Sequence, residues 1–350
     1  MKVCIVGLGA IGGLFAAWLG QRLPAGEITL SALARGATLA AVRREGLVVH
    51  GSDGPQTARS ALALNASDDP EALGVQDLVI LAVKGPSLRA VAPAVVALCG
   101  QQTQVLAAMN GVPWWFFDGP PEPPGPNAGP CAGLVLNSVD PGGTVRALLP
   151  AARVVGCVVH ASSTAPAPGQ VRHVMGRGLV IGNASGGITA RLQALAELLG
   201  RAGFAVTVSG QVQREVWFKL WGNMTMNPVS ALTGAPSDRI LDDPLVRAFN
   251  SAVMREAQAI GAAFGIPIAQ DPEERHAVTR KLGSFKTSML QDAENQRPLE
   301  LDALLGAVRE IGQHLGLATP NIDALFGLVR LMARERGLYP AAPAPPTVAA

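Results

Sequence analysis

Lys219 stands in VWFKLWGNMTMNP, among Trp217, Phe218, Leu220, Trp221, Met224 and Met226. Lysine is almost never fully buried without a partner, so an ammonium in so apolar a setting calls for a reason. On a helix, Lys219, Asn223 and Asn227 fall at i, i+4 and i+8 and share one face. Three polar groups on one stripe of an otherwise apolar helix point to a lined pocket. An ammonium can stabilise charge developing on an oxygen and hand it a proton. Two amides can hydrogen-bond a carboxylate or hydroxyl without adding charge. A surface lysine with its stem along apolar neighbours and its head in water reads the same segment with no chemistry at all.

Further groups stand downstream in KTSMLQDAENQRPLELDALLG, which carries Ser288, Asp292, Glu300 and Asp302. Ser288 and Asp292 are spaced i, i+4. Pro298 breaks the helix, and Glu300 is expected in the first turn of the next one, where the helix dipole favours a carboxylate in any case. At the other end of the chain, Gly7, Gly9 and Gly12 have G-x-G-x-x-G spacing directly after the strand-like KVCIVG. The first glycine allows the tight turn, the second admits a pyrophosphate to the backbone, and the third lets helix and strand pack closely. The stretch Gly7, Leu8, Gly9, Ala10, Ile11 and Gly12 then ends on a helix N-terminus, whose amides and partial positive charge suit phosphates.

Binders of NAD usually carry an acidic residue near the end of the second strand, about 20 residues on. From Ile28 to Arg44 there is no Asp or Glu, whereas Arg35 stands in LARGA and Arg43 and Arg44 follow. A 2′-phosphate favours a guanidinium there, so the expected cofactor is NADPH with Arg35 as main contact; a solvated loop arginine is the plainer alternative. Lys84 in ILAVKG and Asn110 in AAMNGVP each follow a strand, at the carboxyl ends where open sheets gather ligands.

The elements that must position these groups form two halves. The first alternates: strand KVCIVG, helix AIGGLFAAWLGQRL, strand EITLSAL, helix TLAAVRREG, a continuously apolar strand in GVQDLVILAVK, helix SLRAVAPAVVALCG and strand TQVLAAMNG. This predicts a Rossmann-type doubly wound parallel sheet. Six prolines between 120 and 130 mark a surface loop at 118–130. Strand pieces resume at ARVVGCVVHAS, GQVRHVM and GLVIGN, then helix ITARLQALAELLGRAG and strand FAVTVSG. Beyond about 210 the pattern is helical, with helices expected at 212–226, 244–264, 273–293, 299–316 and 320–336. The predicted division is a cofactor-binding domain over 1–209, an all-α catalytic domain over 210–338 and a disordered tail over 339–350.

Composition bounds the rest. The chain of 350 residues is half hydrophobic, with a net charge of +2 that argues against nucleic acid or a membrane surface as partner. Lys2 and the apolar run after it resemble a signal peptide, but the regular glycines favour strand, turn and helix. Cys4, Cys99, Cys131 and Cys157 have no C-x-x-C spacing and read as reduced core residues of a cytoplasmic protein. His50, His160, His173, His276 and His314 show no metal-ligand spacing, so no metal is expected.

Taken together, GLGAIG, the VK and NG after two strands, KLWGNMTMNP and SMLQD…LELD resemble the ketopantoate reductase family over roughly residues 1–335. The resemblance implies reduction of 2-dehydropantoate by NADPH, in pantothenate and coenzyme A synthesis, with a hydride delivered to the C2 carbonyl. It implies that Lys219 is the general acid, that Asn223, Asn227 and Ser288 bind substrate, and that Glu300 holds both cofactor and substrate. It places Lys84 and Asn110 near the nicotinamide end and the backbone of Ala161, in VVHAS, on the cofactor. The chain departs from the family at Met109, where glutamine is common, in the VPWWFF that brings Trp114 and Trp115, and at Ser237 and Asp238, near a family asparagine. Those departures leave open a different, bulkier 2-oxo acid. A non-catalytic NADPH sensor is the reading from another class, and it would have no need of Lys219 and Glu300. The apolar helix at 320–336 suits a monomer or a homodimer equally.

Overall fold

The computed structural model describes residues 1–51, 59–119 and 129–341. Its contacts divide the chain into two units, residues 1–216 and 217–350. Most of the loop expected at 118–130 and of the tail expected at 339–350 lies outside the described residues.

The first unit is built on ten strands: β1 (Lys2–Val6), β2 (Thr29–Leu33), β3 (Leu47–His50), β4 (Arg59–Leu62), β5 (Asn65–Ser67), β6 (Gln76–Leu81), β7 (Cys99–Ala107), β8 (Val154–Thr164), β9 (Gln170–Asn183) and β10 (Ala205–Val208). Its helices are α1 (Ala10–Arg22), α2 (Gly36–Glu45), α3 (Pro70–Leu73), α4 (Leu88–Ala97), α5 (Thr144–Leu148) and α6 (Ala190–Arg201). The path β5-β2-β1-β6-β7-β8 is parallel at every step, which is the strand order of a doubly wound nucleotide-binding sheet. β1 owes its central place to four buried residues in a row. Val3 and Ile5 join the core under α1 and α6, while Cys4 and Val6 join the core under α4 and α5. Residues 2–22, the stretch like a signal peptide, are thus strand and helix of this sheet.

Beyond β8 the sheet turns mixed. β9 runs antiparallel to β8 and also pairs with β3 and β10, and β3 pairs antiparallel with β4. The pieces read from sequence as two strands, GQVRHVM and GLVIGN, are the single strand β9. Gly176, at φ +72°, lies opposite the register shift in β8, and a Cβ there would fall 2.5 Å from the His160 carbonyl oxygen. The glycine therefore marks a bulge within a strand, not its end.

The helix α7 (Val212–Thr233) leads into the second unit, followed by α8 (Ser237–Asp242), α9 (Pro244–Ala263), α10 (Pro272–Arg280), α11 (Ser288–Glu294), α12 (Ala307–His314) and α13 (Pro320–Glu335). The helix expected at 212–226 continues through Pro228. An internal proline costs a helix about 3 kcal/mol, and burial of every residue from Met224 to Ala231 offsets it. The helix expected at 273–293 is in fact two, α10 and α11, parted at Gly283, which has φ +64°. The stretch expected as one helix over 299–316 contains a π-helical turn, Asp302–Gly306, ahead of α12. α9 starts at the expected residue 244, with Asp243 Oδ1 accepting from Leu245 and Val246 N–H at 2.9 and 3.0 Å. Leu245, in its first turn, is 81% exposed. Among the described residues no helix is long and apolar enough to cross a bilayer.

Candidate active site

In the first unit the glycine turn is shaped from within at two positions and open at the third. Gly7 has φ +93°, and a Cβ on it would meet Val83 Cγ1 at 2.8 Å and the Ala82 carbonyl oxygen at 3.0 Å. A Cβ on Gly12 would lie 1.9 Å from the Gly7 carbonyl oxygen, so only glycine lets α1 sit this close to β1. Gly9 differs: its φ of −79° suits any residue, and a Cβ on it meets nothing within 4 Å. No intramolecular contact requires glycine there. A bare backbone at the N-cap of α1, with no side-chain cap and no acid in the first turn, fits a pyrophosphate. Leu8 is buried below this turn, while Ala10 and Ile11 open the helix.

The neighbouring carboxyl ends carry the other expected contacts. Arg35 follows β2 as N-cap of α2 and is exposed. Arg43 pairs with Asp68 at 3.7 Å and Arg44 with Glu45 at 2.8 Å, whereas no ion pair engages Arg35 among the described residues. Lys84 follows β6 and Asn110 follows β7, so glycine turn, Lys84 and Asn110 stand at the carboxyl ends of three adjacent strands. β1 and β6 flank the point where the strand order reverses, where doubly wound sheets bind their ligands. Ala161 lies several residues further along β8 than Gly156, the partner of Ala107 at the end of β7.

The tryptophans of VPWWFF face inward. Trp114 donates from Nε1 to the Leu149 carbonyl at 2.9 Å, and Trp115 is 1% exposed against Gly156, where a Cβ would fall 2.5 Å from its ring. Both are packing residues of this unit. The four cysteines form no disulfide, and burial pushes the Cys4 and Cys131 thiols up to about 11, too high for a nucleophile. No His, Cys, Asp and Glu cluster among the described residues would hold a metal ion.

In the second unit α7 carries Lys219 and Asn223 half-buried and Asn227 buried, on one face by helical spacing. Its apolar side is fastened by Trp221, which donates from Nε1 to the Met254 carbonyl at 2.9 Å. Thr287 caps α11 by accepting from Leu290 N–H at 3.2 Å, which leaves Ser288 exposed as the first helical residue and Asp292 one turn on. Glu300 is half-buried and immediately precedes the helical stretch that opens at Leu301, one residue short of its expected place in a first turn. Ser237 is buried and committed. Its hydroxyl donates to the Gly283 carbonyl at 2.9 Å and accepts from Phe285 N–H at 3.2 Å. It holds the loop leading to α11, while Asp238 Oδ1 accepts from the N–H of Arg239.

Two features escaped the sequence reading. Arg275 packs its guanidinium against Gly222 and over the Phe218 ring, 5.3 Å from the centroid, on the helix that carries Lys219. Burial lowers its pKa, and among the described residues its Nε has no hydrogen-bond partner. The signal was Gly222 itself, since a mid-helix glycine costs about 1 kcal/mol and often marks a close approach. The other is the π-turn at 302–306, a feature frequent at functional sites.

Known proteins share this chain's sequence pattern and fold. The family model "Ketopantoate reductase PanE/ApbA" matches residues 3–113, and its C-terminal counterpart matches 211–333. The 2-dehydropantoate 2-reductase of Mesorhizobium japonicum is 42% identical over 97% of this chain and 100% of its own length. A candidate ketopantoate reductase from Ralstonia solanacearum MolK2 superposes with a TM-score of 0.89 at 52% identity, covering 97% of this chain and 99% of that one. D-mandelate dehydrogenase, solved with NADH and anilino(oxo)acetate, shares the fold at a TM-score of 0.79 and 21% identity, over 96% of this chain and all of that one. The chain belongs to the ketopantoate reductase family, oxidoreductases that use a nicotinamide cofactor.

Proposed function

We propose that the protein is an NADPH-dependent 2-dehydropantoate 2-reductase, serving pantothenate and coenzyme A synthesis in the cytoplasm. The observation that carries this reading is the stripe on α7, one ammonium and two amides within its largely apolar stretch 216–228, in a chain 42% identical to a protein of that name. NADPH supplies the hydride that the C2 carbonyl accepts. Lys219 steadies the negative charge on the carbonyl oxygen and donates the proton to it. Asn223, Asn227 and Ser288 hydrogen-bond the carboxylate and hydroxyl groups of the substrate. Glu300 fixes cofactor and substrate. Residues Gly7 to Gly12 hold the pyrophosphate, Arg35 the 2′-phosphate, and Lys84, Asn110 and the Ala161 backbone the nicotinamide half. In this reading residues 1–209 bind cofactor and 210–338 carry catalysis.

A different 2-oxo acid is the second reading. It is favoured by Ser237, which is engaged with Gly283 and Phe285 and stands with Asp238 near the place of a substrate-contacting asparagine in the family resemblance. Steady-state turnover of a panel of 2-oxo acids, each with NADPH and with NADH, tests both. Fast turnover of 2-dehydropantoate with NADPH supports the first, and preference for another oxo acid supports the second. Tight NADPH binding with no turnover of any oxo acid contradicts both.

A further inference from the structure

The backbone that carries Glu300 is held from both sides by one distant stretch, residues 338–340. On the near side Leu299 N–H donates to the Leu338 carbonyl at 2.9 Å. On the far side the Tyr339 hydroxyl donates to Asp302 Oδ1 at 2.6 Å. Glu300 lies between these two attachments. The stretch is itself anchored on the end of α13. Leu338 N–H donates to the Ala333 carbonyl at 2.7 Å, Arg334 Nε donates to the Pro340 carbonyl at 3.2 Å, and the Arg334 guanidinium sits 5.6 Å over the Tyr339 ring. Asp302 also opens the π-turn, accepting at its carbonyl from Ala307 N–H, so the backbone after Glu300 takes a wide turn rather than a plain helical one.

We infer that Tyr339 and Asp302 are positioning residues that set where the Glu300 carboxylate points, and that they act on turnover through Glu300. This rests on the role proposed for Glu300. A carboxylate that meets ligand atoms at hydrogen-bond distance tolerates little displacement, and a misplacement of about 1 Å can cost about 100-fold in rate. The helical stretch opens at Leu301, next to Glu300, and the bond at Asp302 fixes the start of that stretch from outside it. Tyr339 is the single tyrosine of the chain, which makes the bond directly readable. Burial and the adjacent Asp302 carboxylate both raise the phenol well above its ordinary value.

The test is a double-mutant cycle on the full chain, with kcat and KM measured beside the melting temperature. Tyr339→Phe keeps the ring and removes the hydroxyl, and is expected to lower kcat by about 10-fold with the fold intact. In a Glu300→Gln background the same change is expected to add nothing, because the group it positions is gone. Asp302→Asn, which still accepts a hydrogen bond, should lose less than Asp302→Ala, and Asp302→Ala should bring tyrosinate absorbance in at lower pH. Unchanged kcat in Tyr339→Phe, or a full additional loss in the Glu300→Gln background, overturns the inference while leaving Glu300 its role. Wild-type turnover by Glu300→Gln overturns the role of Glu300 and the inference with it.

Discussion

At Gly9 the protein and the proposed ligand make opposite demands, so Gly9→Ala separates them. The backbone angles there are open to alanine, and the new methyl meets no atom within 4 Å. Two stability effects nearly cancel. Alanine stiffens the unfolded chain, stabilising by about 0.4–1 kcal/mol. It is also a poorer N-cap than glycine, costing roughly 0.5–1 kcal/mol. The melting temperature should therefore move by less than about 3 °C. Binding is another matter. A methyl between the backbone and a pyrophosphate displaces a charge-assisted amide contact worth about 1.5–3 kcal/mol, which is about 10- to 100-fold in Kd. Gly12→Ala is the contrasting variant, because its methyl lands 1.9 Å from the Gly7 carbonyl oxygen and α1 must move off β1. It should lose binding and stability together, the latter by about 1–3 kcal/mol. The assay pairs a fluorescence titration of NADPH with a thermal melt. Wild-type affinity in Gly9→Ala would refute the placement of the pyrophosphate, and a large drop in its melting temperature would refute the claim that the position is open.

Arg35→Ala should weaken NADPH by about 10- to 100-fold and leave NADH almost untouched; equal losses for both would place the 2′-phosphate elsewhere. His276 is 4% exposed with Nε2 3.0 Å from Ser251 Oγ, and desolvation lowers its pKa from 6.5. The fold thus excludes a proton that the unfolded chain binds, so stability should fall as pH drops below about 6.5, by up to about 1.4 kcal/mol per pH unit until the depressed folded pKa is reached. Melting curves for His276→Gln should show a flatter slope over that range, and an unchanged slope would assign the acid loss to other groups. Gly156→Ala drives a methyl to 2.5 Å from the Trp115 ring and should lower stability by about 1–3 kcal/mol, as read by denaturant titration; a neutral result would mean the ring has room to move.

The parts of the molecule that were legible in sequence have signals carried by adjacent residues. Gly7, Gly9 and Gly12 announce the turn between β1 and α1 because strand, turn and helix follow within a few residues. Asp243 and Pro244 announce α9 in the same way. The stripe on α7 could be read because helical spacing alone places Lys219, Asn223 and Asn227 on one face. What was missed depends on partners far away in the chain. β4 is a short, mostly exposed edge strand whose residues, RSAL, carry no alternation, and only pairing with β3 defines it. Gly176 reads as a break until His160 appears opposite. The division between α10 and α11 had a local signal in Gly283 and the Thr287 cap, but helix-favouring residues on both sides obscured it. The anchorage of Leu299 and Asp302 to residues 338 and 339 left no trace in any local pattern.

The most direct test of the central claim compares wild type with Lys219→Ala in one experiment, measuring NADPH affinity and the rate of 2-dehydropantoate reduction on the same preparations. A general acid contributes about 100- to 10,000-fold, so the rate should fall by that factor while NADPH binds at wild-type strength. A rate within a few-fold of wild type, or a loss that lies wholly in NADPH affinity, would contradict the assignment of Lys219 as the acid.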